Sequence, residues 1–181
     1  MSLPAFTERL RTAGLLPLKP TKIETLQVNV GKMCNQTCHH CHVDAGPTRK
    51  EIMTRETMQK CIDVVRRDKF KVVDITGGAP EMNPNFRWFV SELKAAGAHI
   101  MVRCNLTIIL ANQKYNDLPQ FFRDHQVEVV SSLPHYTAQK TDRQRGAGVF
   151  DKSIRALQML NEVGYGRAGT GLKLNLWPHL S

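Results

Sequence analysis

Residues 26–42 read LQVNVGKMCNQTCHHCH. Leu26, Val28 and Val30 alternate with polar neighbours, which is the two-residue period of a β-strand, and Gly31 ends the run. Cys34, Cys38 and Cys41 follow at the spacing C-x3-C-x2-C, in the loop that this strand feeds. Three thiolates from one short loop can hold three irons of a four-iron cubane, leaving the fourth iron without a protein ligand and open to a small molecule. Tetrahedral zinc is the competing reading, with the same cysteines and one of His39, His40 or His42 completing the set. Zinc modules usually bring their ligands as two pairs with a longer spacer, and no second Cys/His pair follows at such a distance. Disulfides fit least well, because five cysteines is an odd number and the opening MSLPAFTERL lacks the apolar centre of a secretory signal. The expectation is a reducing, cytoplasmic setting.

Outward from this stretch, strand-like and helix-like segments alternate. LQVNV at 26–30, KVVDIT at 71–76, HIMVR at 99–103, VEVVSS at 127–132 and LKLNLW at 172–177 read as five strands. Helices are expected between them. The first has Thr54 as N-cap, Glu56 in its first turn and Met58, Cys61, Ile62 and Val65 on one face. The second runs from Phe86 to Ala96 and stops at Gly97, the third covers about Asp117 to Asp124, and the fourth runs from about Asp151 to Val163 and ends at Gly164. Such alternation predicts an α/β fold with parallel strands and crossover helices. Proteins of that kind collect their functional groups at the carboxyl ends of the strands. Every unusual segment here falls at that end: the cysteine loop, then TGGAPE, then RCNLT, then LPHYTAQKTDRQRG.

The chain of 181 residues, 41% of them apolar, suits one domain with a sizeable core. No apolar run approaches the roughly 20 residues of a membrane helix, so a soluble protein is expected. The 25 Lys and Arg exceed the 16 Asp and Glu, giving a net charge of +9. That excess is scattered through candidate helices and loops, without an RNA-binding signature or an interleaved aromatic stripe, so no nucleic-acid partner is expected.

In Thr76–Glu81, Gly77 and Gly78 remove side chains where a ligand could approach the backbone, Pro80 stiffens the exit, and Glu81 offers a carboxylate. Arg103 and Asn105 end the third strand with a cation and an amide suited to a carboxylate or to ribose hydroxyls, and Cys104 lies between them. A plain salt bridge is the alternative reading of Arg103, and a small buried strand-end residue that of Cys104.

With these segments at one sheet end, the chain resembles the radical S-adenosylmethionine (SAM) superfamily, whose cluster motif is C-x3-C-x2-C with an aromatic residue usually before the last cysteine; His40 holds that position here. The resemblance implies a partial (β/α) TIM-type barrel with about five β/α units present, a 4Fe-4S cluster on Cys34, Cys38 and Cys41, and SAM bound at the open iron. It places Gly77 and Gly78 beside the methionyl amine. His40, Glu81, Arg103, Asn105 and Arg143 become cofactor contacts, Glu81 less firmly because many members read GGEP where this chain reads GGAPE. His135, Tyr136, Arg143 and Arg145 form a polar loop after the fourth strand that could bind the cofactor carboxylate or substrate oxygens, with no individual roles for His135, Tyr136 and Arg145. Longer strings, LQVNVGKMCNQTCHHCHVDAGP, DITGGAPEMNPNFR, VRCNLTIIL and YTAQKTDRQRGAGVFDKSIRALQMLN, look like the radical SAM/Cys-rich proteins associated with arsenosugar biosynthesis. That likeness implies transfer of the 5′-deoxyadenosyl group to a methylated arsenical, with Cys104 positioning the arsenic and a reducing donor such as flavodoxin or ferredoxin. It also implies a core at 23–178 after an N-terminal extension at 1–22. Such proteins continue into a sixth strand and a Cys-rich region, whereas this sequence stops at WPHLS and so looks truncated. Another radical SAM reaction such as peptide modification, and a non-catalytic iron–sulfur or zinc fragment, are the alternatives.

Overall fold

A computed structural model describes residues 5–19, 21–39 and 41–177. Five strands, β1 (Thr25–Asn29), β2 (Val72–Thr76), β3 (His99–Cys104), β4 (Glu128–Ser132) and β5 (Leu174–Trp177), form one sheet in the order β1-β2-β3-β4-β5. Every pairing is parallel, with Val28 opposite Ile75, Ile75 opposite Val102, Val102 opposite Val129 and Val129 opposite Leu174. Strand order that follows the chain without reversal, combined with right-handed crossovers, puts the connecting helices on one side. This is the arrangement of a barrel wall, as the sequence leads one to expect.

The helices are α1 (Phe6–Thr12), α2 (Arg55–Asp68), α3 (Phe86–Ala95), α4 (Leu118–Asp124), α5 (Ala138–Arg145) and α6 (Val149–Glu162). Helix α2 starts where the Thr54 side chain accepts a hydrogen bond from the Thr57 amide at 3.3 Å, and its buried face is Met58, Ile62 and Val65, spaced one and two turns apart. That face meets Val28, Val73, Ile75, Ile100, Val102 and Val129 in one core that also takes Phe86, Phe89 and Leu93 from α3, Phe122 from α4 and Leu160 from α6. Cys61 packs against this core from its edge.

Two differences from the sequence reading concern the region after β4. The segment read as a polar loop contains α5, and α6 begins at Val149, two residues earlier than expected. One carboxylate accounts for both: Asp142, inside α5, accepts from the Gly148 amide at 2.7 Å and the Phe150 amide at 2.8 Å, capping α6 from its neighbour. Thr141, fully buried, ties α5 back by donating to the His135 carbonyl at 2.8 Å. Helix α1, within the expected N-terminal extension, has no buried residue.

The other sheet face is polar and largely exposed. It presents Gln27, Asp74 and Arg103 as one hydrogen-bonded row, and His99, Glu128 and Asn175 as another. Parallel sheets normally have both faces covered, so a charged face of this kind reads as a barrel interior. Among the described residues, no helix is long and apolar enough to cross a membrane. Phe122, fully buried and edge-on to Phe86 at 6.3 Å, tests the packing on the helix side. Phe122→Ala should lower the unfolding free energy in urea by about 3–5 kcal/mol, and a loss below about 1 kcal/mol would contradict this account.

Candidate functional site

Beyond the ends of β1 and β2 the two loop backbones run on side by side. The Val30 amide donates to the Thr76 carbonyl, Gly78 to Gly31 and Ala79 to Met33, each at 2.9 Å. The approach is close enough that a Cβ on Gly78 would lie 2.4 Å from the Met33 carbonyl oxygen, and one on Gly77 2.7 Å from that of Gly31. The paired glycines are therefore demanded by the contact between two loops, besides any use a ligand makes of them. The cysteine loop is closed at its neck by Gly46 donating to Lys32 at 3.0 Å and Cys34 to Gly46 at 3.2 Å. The buried Asn83 side chain straps this root by donating to the carbonyls of Val30 and Met53.

Residues after β3 hold the loop from the other side. Asn105 Nδ2 donates to Cys34 Sγ at 3.4 Å and to Asn35 Oδ1 at 2.8 Å, while Asn35 and Gln36 both donate to Thr107 Oγ1. The Ala45 amide points at Cys41 Sγ at 3.3 Å. Burial pushes the Cys34 and Cys38 thiols up, and for Cys38 the nearby Arg145 guanidinium works in the opposite direction.

The three cysteines open into a cavity of about 410 Å³ at the carboxyl ends of the strands, in the range of small-molecule sites. Gly77, Gly78, Arg103, Cys104 and Asn105 line it with them, as the sequence reading placed them. Arg145, left without a role by the sequence, also lines it; its guanidinium is largely buried and its Nε has no hydrogen-bond partner. His42, weighed in the sequence only as a zinc ligand, and Thr76, which opens the glycine segment, are also on the wall, as is Trp177, which had not been singled out. The sequence singled out the loop that carries Arg145; which of its cations faces the thiols depends on how the Asp142 cap holds α5.

Two expected cofactor contacts lie elsewhere. Arg143 lines a neighbouring groove that shares Cys38 and Cys41 with the cavity and also takes His39, Asp44 and Arg49, because two residues along a helix point well away from Arg145. Glu81 sits in the 3-10 turn Pro80–Met82, buried behind the sheet end and outside the cavity lining. His40 lies outside the described residues. Neither Glu81 oxygen has a hydrogen bond of normal geometry, and burial raises its pKa to about 7, against the smaller opposing pull of its own backbone amide and the Cys104 thiol. Arg103 makes the salt bridge that the sequence left as an alternative: Nε and Nη2 reach Asp74 at 2.8–3.1 Å.

Among the described residues, no three His, Cys, Asp or Glu side chains are grouped so as to hold a metal ion. A single zinc would need its sulfur ligands about 3.8 Å apart, given a Zn–S bond of about 2.3 Å. A cubane gives each thiolate its own iron and spreads the sulfurs more widely. The all-thiolate donor set, the cavity of about 410 Å³ beyond it and a buried cation beside it fit such a cluster with a small ligand at its open corner.

A parallel (β/α) partial barrel with three cysteine thiols at its mouth defines the class as a TIM-type partial barrel with a thiolate site suited to an iron–sulfur cluster. The chain belongs to the radical SAM superfamily, whose family model matches residues 28–178. Members of that superfamily are enzymes that use a 4Fe-4S cluster and SAM. The mycofactocin maturase of Mycobacterium ulcerans is 30% identical over 135 residues, which is 75% of this chain and 36% of that protein. The solved structure of Streptococcus suis SuiB bound to the precursor peptide SuiA superposes with a TM-score of 0.67 at 15% identity, over 93% of this chain and 35% of that one. AnSMEcpe with bound AdoMet gives 0.62 at 16%, over 84% and 43%. The chain thus spans about a third of the maturase it matches.

Two variants check this geometry. Gly78→Ala should push the two loops apart, lowering stability by about 1–3 kcal/mol in denaturant titration; an unchanged midpoint would refute the close approach. Glu81 holds its proton in the folded chain to about pH 7 but ionises near 4.5 when unfolded. Its stabilising contribution is therefore full below pH 4.5 and is lost as pH rises to about 7. Glu81→Gln should remove up to about 3 kcal/mol of that pH dependence, read from unfolding curves between pH 4.5 and 8; parallel curves for the two proteins would exclude a buried neutral carboxyl.

Proposed function

We propose that the protein reductively cleaves SAM at a 4Fe-4S cluster held by Cys34, Cys38 and Cys41, and passes the 5′-deoxyadenosyl group to a methylated arsenical. The carrying observation is the three-thiol cavity with a buried, incompletely partnered guanidinium on its wall. When bound, the cluster would supply one electron to break the sulfonium's bond to the adenosyl carbon, giving methionine and a 5′-deoxyadenosyl radical; capture by trivalent arsenic would form the carbon–arsenic bond and give one electron back, so that arsenic becomes pentavalent with no net electron consumed.

The chain's own residues bind, orient and shield. Asn105 and the Ala45 amide, already directed at Cys34 and Cys41, stabilise thiolate charge by donating to it. The Gly77–Gly78 backbone forms a wall without side chains where the methionyl amine would lie. Arg145 takes over the role expected of Arg143, because its guanidinium faces the cavity and a carboxylate there would satisfy the free Nε and offset the burial that lowers its pKa. The aromatic face of Trp177 and the Val130 side chain restrict water on the side of β4 and β5.

The arsenical as substrate rests on the long strings that run through all four strand-end segments, and Cys104, a thiol on the cavity wall, would position the soft arsenic centre. A small acidic electron carrier such as flavodoxin or ferredoxin would supply the electron. Peptide modification is the second reading, favoured by the similarity to a maturase and by a fold shared with a protein solved bound to a precursor peptide. The whole protein's substrate is the test. Anaerobic reconstitution should give about four irons and four sulfides per chain and a spectroscopic change on adding SAM, with Cys34→Ala, Cys38→Ala and Cys41→Ala each losing both. One zinc per chain without a response to SAM would overturn the proposal. An adenosyl–arsenic product from a trivalent methylarsenical supports the first substrate, and a modified peptide with free 5′-deoxyadenosine the second.

A further inference from the structure

The cavity wall carries cations and no acid. Arg103 and Arg145 line it, and no Asp or Glu is among the described residues that do. The two arginines occupy different places. Arg145 lies beside the cysteines, close enough that all three thiols bear on its ionisation. Arg103 projects from the polar face of β3, the central strand, with its side chain half exposed.

The setting of Arg103 is built. Asp74 on β2 is only 7% exposed and receives Nε and Nη2 of Arg103 from one side and Gln27 Nε2 of β1 from the other, at 2.8 Å. Burial works to raise the Asp74 pKa, but these hydrogen bonds outweigh it and leave it lowered, so the carboxylate stays ionised and the guanidinium plane is held by three strands. The remaining nitrogen, Nη1, has no partner among the described residues. A guanidinium fixed on one edge and free on the other is prepared to receive an oxygen anion with little loss of side-chain freedom. Directly across the ladder from Arg103 on β4 is Val130, buried, and the exposed ring of Trp177 lies on β5 along the same face. An anion seated on Arg103 would set its adjoining group against these apolar side chains.

We infer that the Gln27–Asp74–Arg103 row is a substrate-reading site, separate from the cofactor contacts, that takes a singly charged carboxylate or oxyanion bearing a small apolar group. This rests on the function proposed above and narrows its substrate class. It also moves Arg103 from the cofactor, where the sequence placed it, to the substrate.

The test uses the reconstituted protein and two variants. Arg103→Gln removes the cation, and the double variant Asp74→Asn/Arg103→Gln also removes the buried charge that Arg103→Gln would strand, so a folding defect in the first does not decide the matter. Dimethylarsinate, a pentavalent stand-in that reads the arsenical's oxygens and does not itself react, and N-acetylglycine probe the oxyanion and the peptide carboxylate, N-acetylglycinamide is the neutral control, and calorimetry reads affinity with and without SAM. At least one anion should bind the unaltered protein, the amide should not, and both variants should weaken the anion about tenfold or more while iron content and SAM affinity hold. Preference for dimethylarsinate or for N-acetylglycine then separates the two sources. Equal anion affinity in the variants, absence of anion binding, or a fall in SAM affinity matching that of the anion would overturn the inference. Failure of the unaltered protein to hold iron or answer to SAM would sink the proposed function, and the anion titration without SAM still reads Arg103.

Discussion

The structure hangs on the seam where the loop after β1 lies against the loop after β2. Three backbone hydrogen bonds of 2.9 Å join them, and at Gly78 the gap is too small for one extra carbon. Continuing the β1–β2 ladder past the strand ends removes freedom from a segment that would otherwise be a mobile loop. The cysteines therefore leave from a fixed root. Asn105 and Thr107 after β3 and Arg145 on α5 then meet them from successive units of the sheet, so each strand end contributes one part of a single cavity wall.

Two carboxyls near this end show how differently a buried acid can be handled. Asp74, on the polar face, is matched by Arg103 and Gln27 and stays ionised. Glu81, on the helix side, has no comparable donor and keeps its proton to about pH 7. Burying a charge is tolerable when hydrogen bonds replace the lost water and costly when they do not. The paired acid organises a cation that faces the cavity, while the unpaired one is hidden from it.

The one-sided distribution of charge follows from the same sheet. Side chains alternate across a strand, so Val73, Ile75, Val102 and Val129 turn to the helices while Asp74, Arg103 and Glu128 turn to the open face. Strands read from sequence as plain apolar runs are in fact two-sided. KVVDIT and HIMVR each carry a charged residue, and on the open face Asp74 and Arg103 neutralise each other while Arg103 also borders the cavity.

By itself the sequence determined the alternation of strands and helices, the capping of α2 at Thr54, the parallel α/β class and the gathering of the cysteine, glycine and Arg-x-Asn segments at one end. These depend on neighbours a few residues apart, where period, propensity and capping act directly. Only the tertiary structure decided that Gly77 and Gly78 answer to a second backbone, that Arg103 is bound to Asp74, that Glu81 is withdrawn from the cavity, and that Arg145 faces it where Arg143 does not. Each of those depends on groups far apart in the chain, or on the rotation of α5 set by the Asp142 cap. Distances of that kind are fixed by packing and strand register, which local residue preferences do not encode.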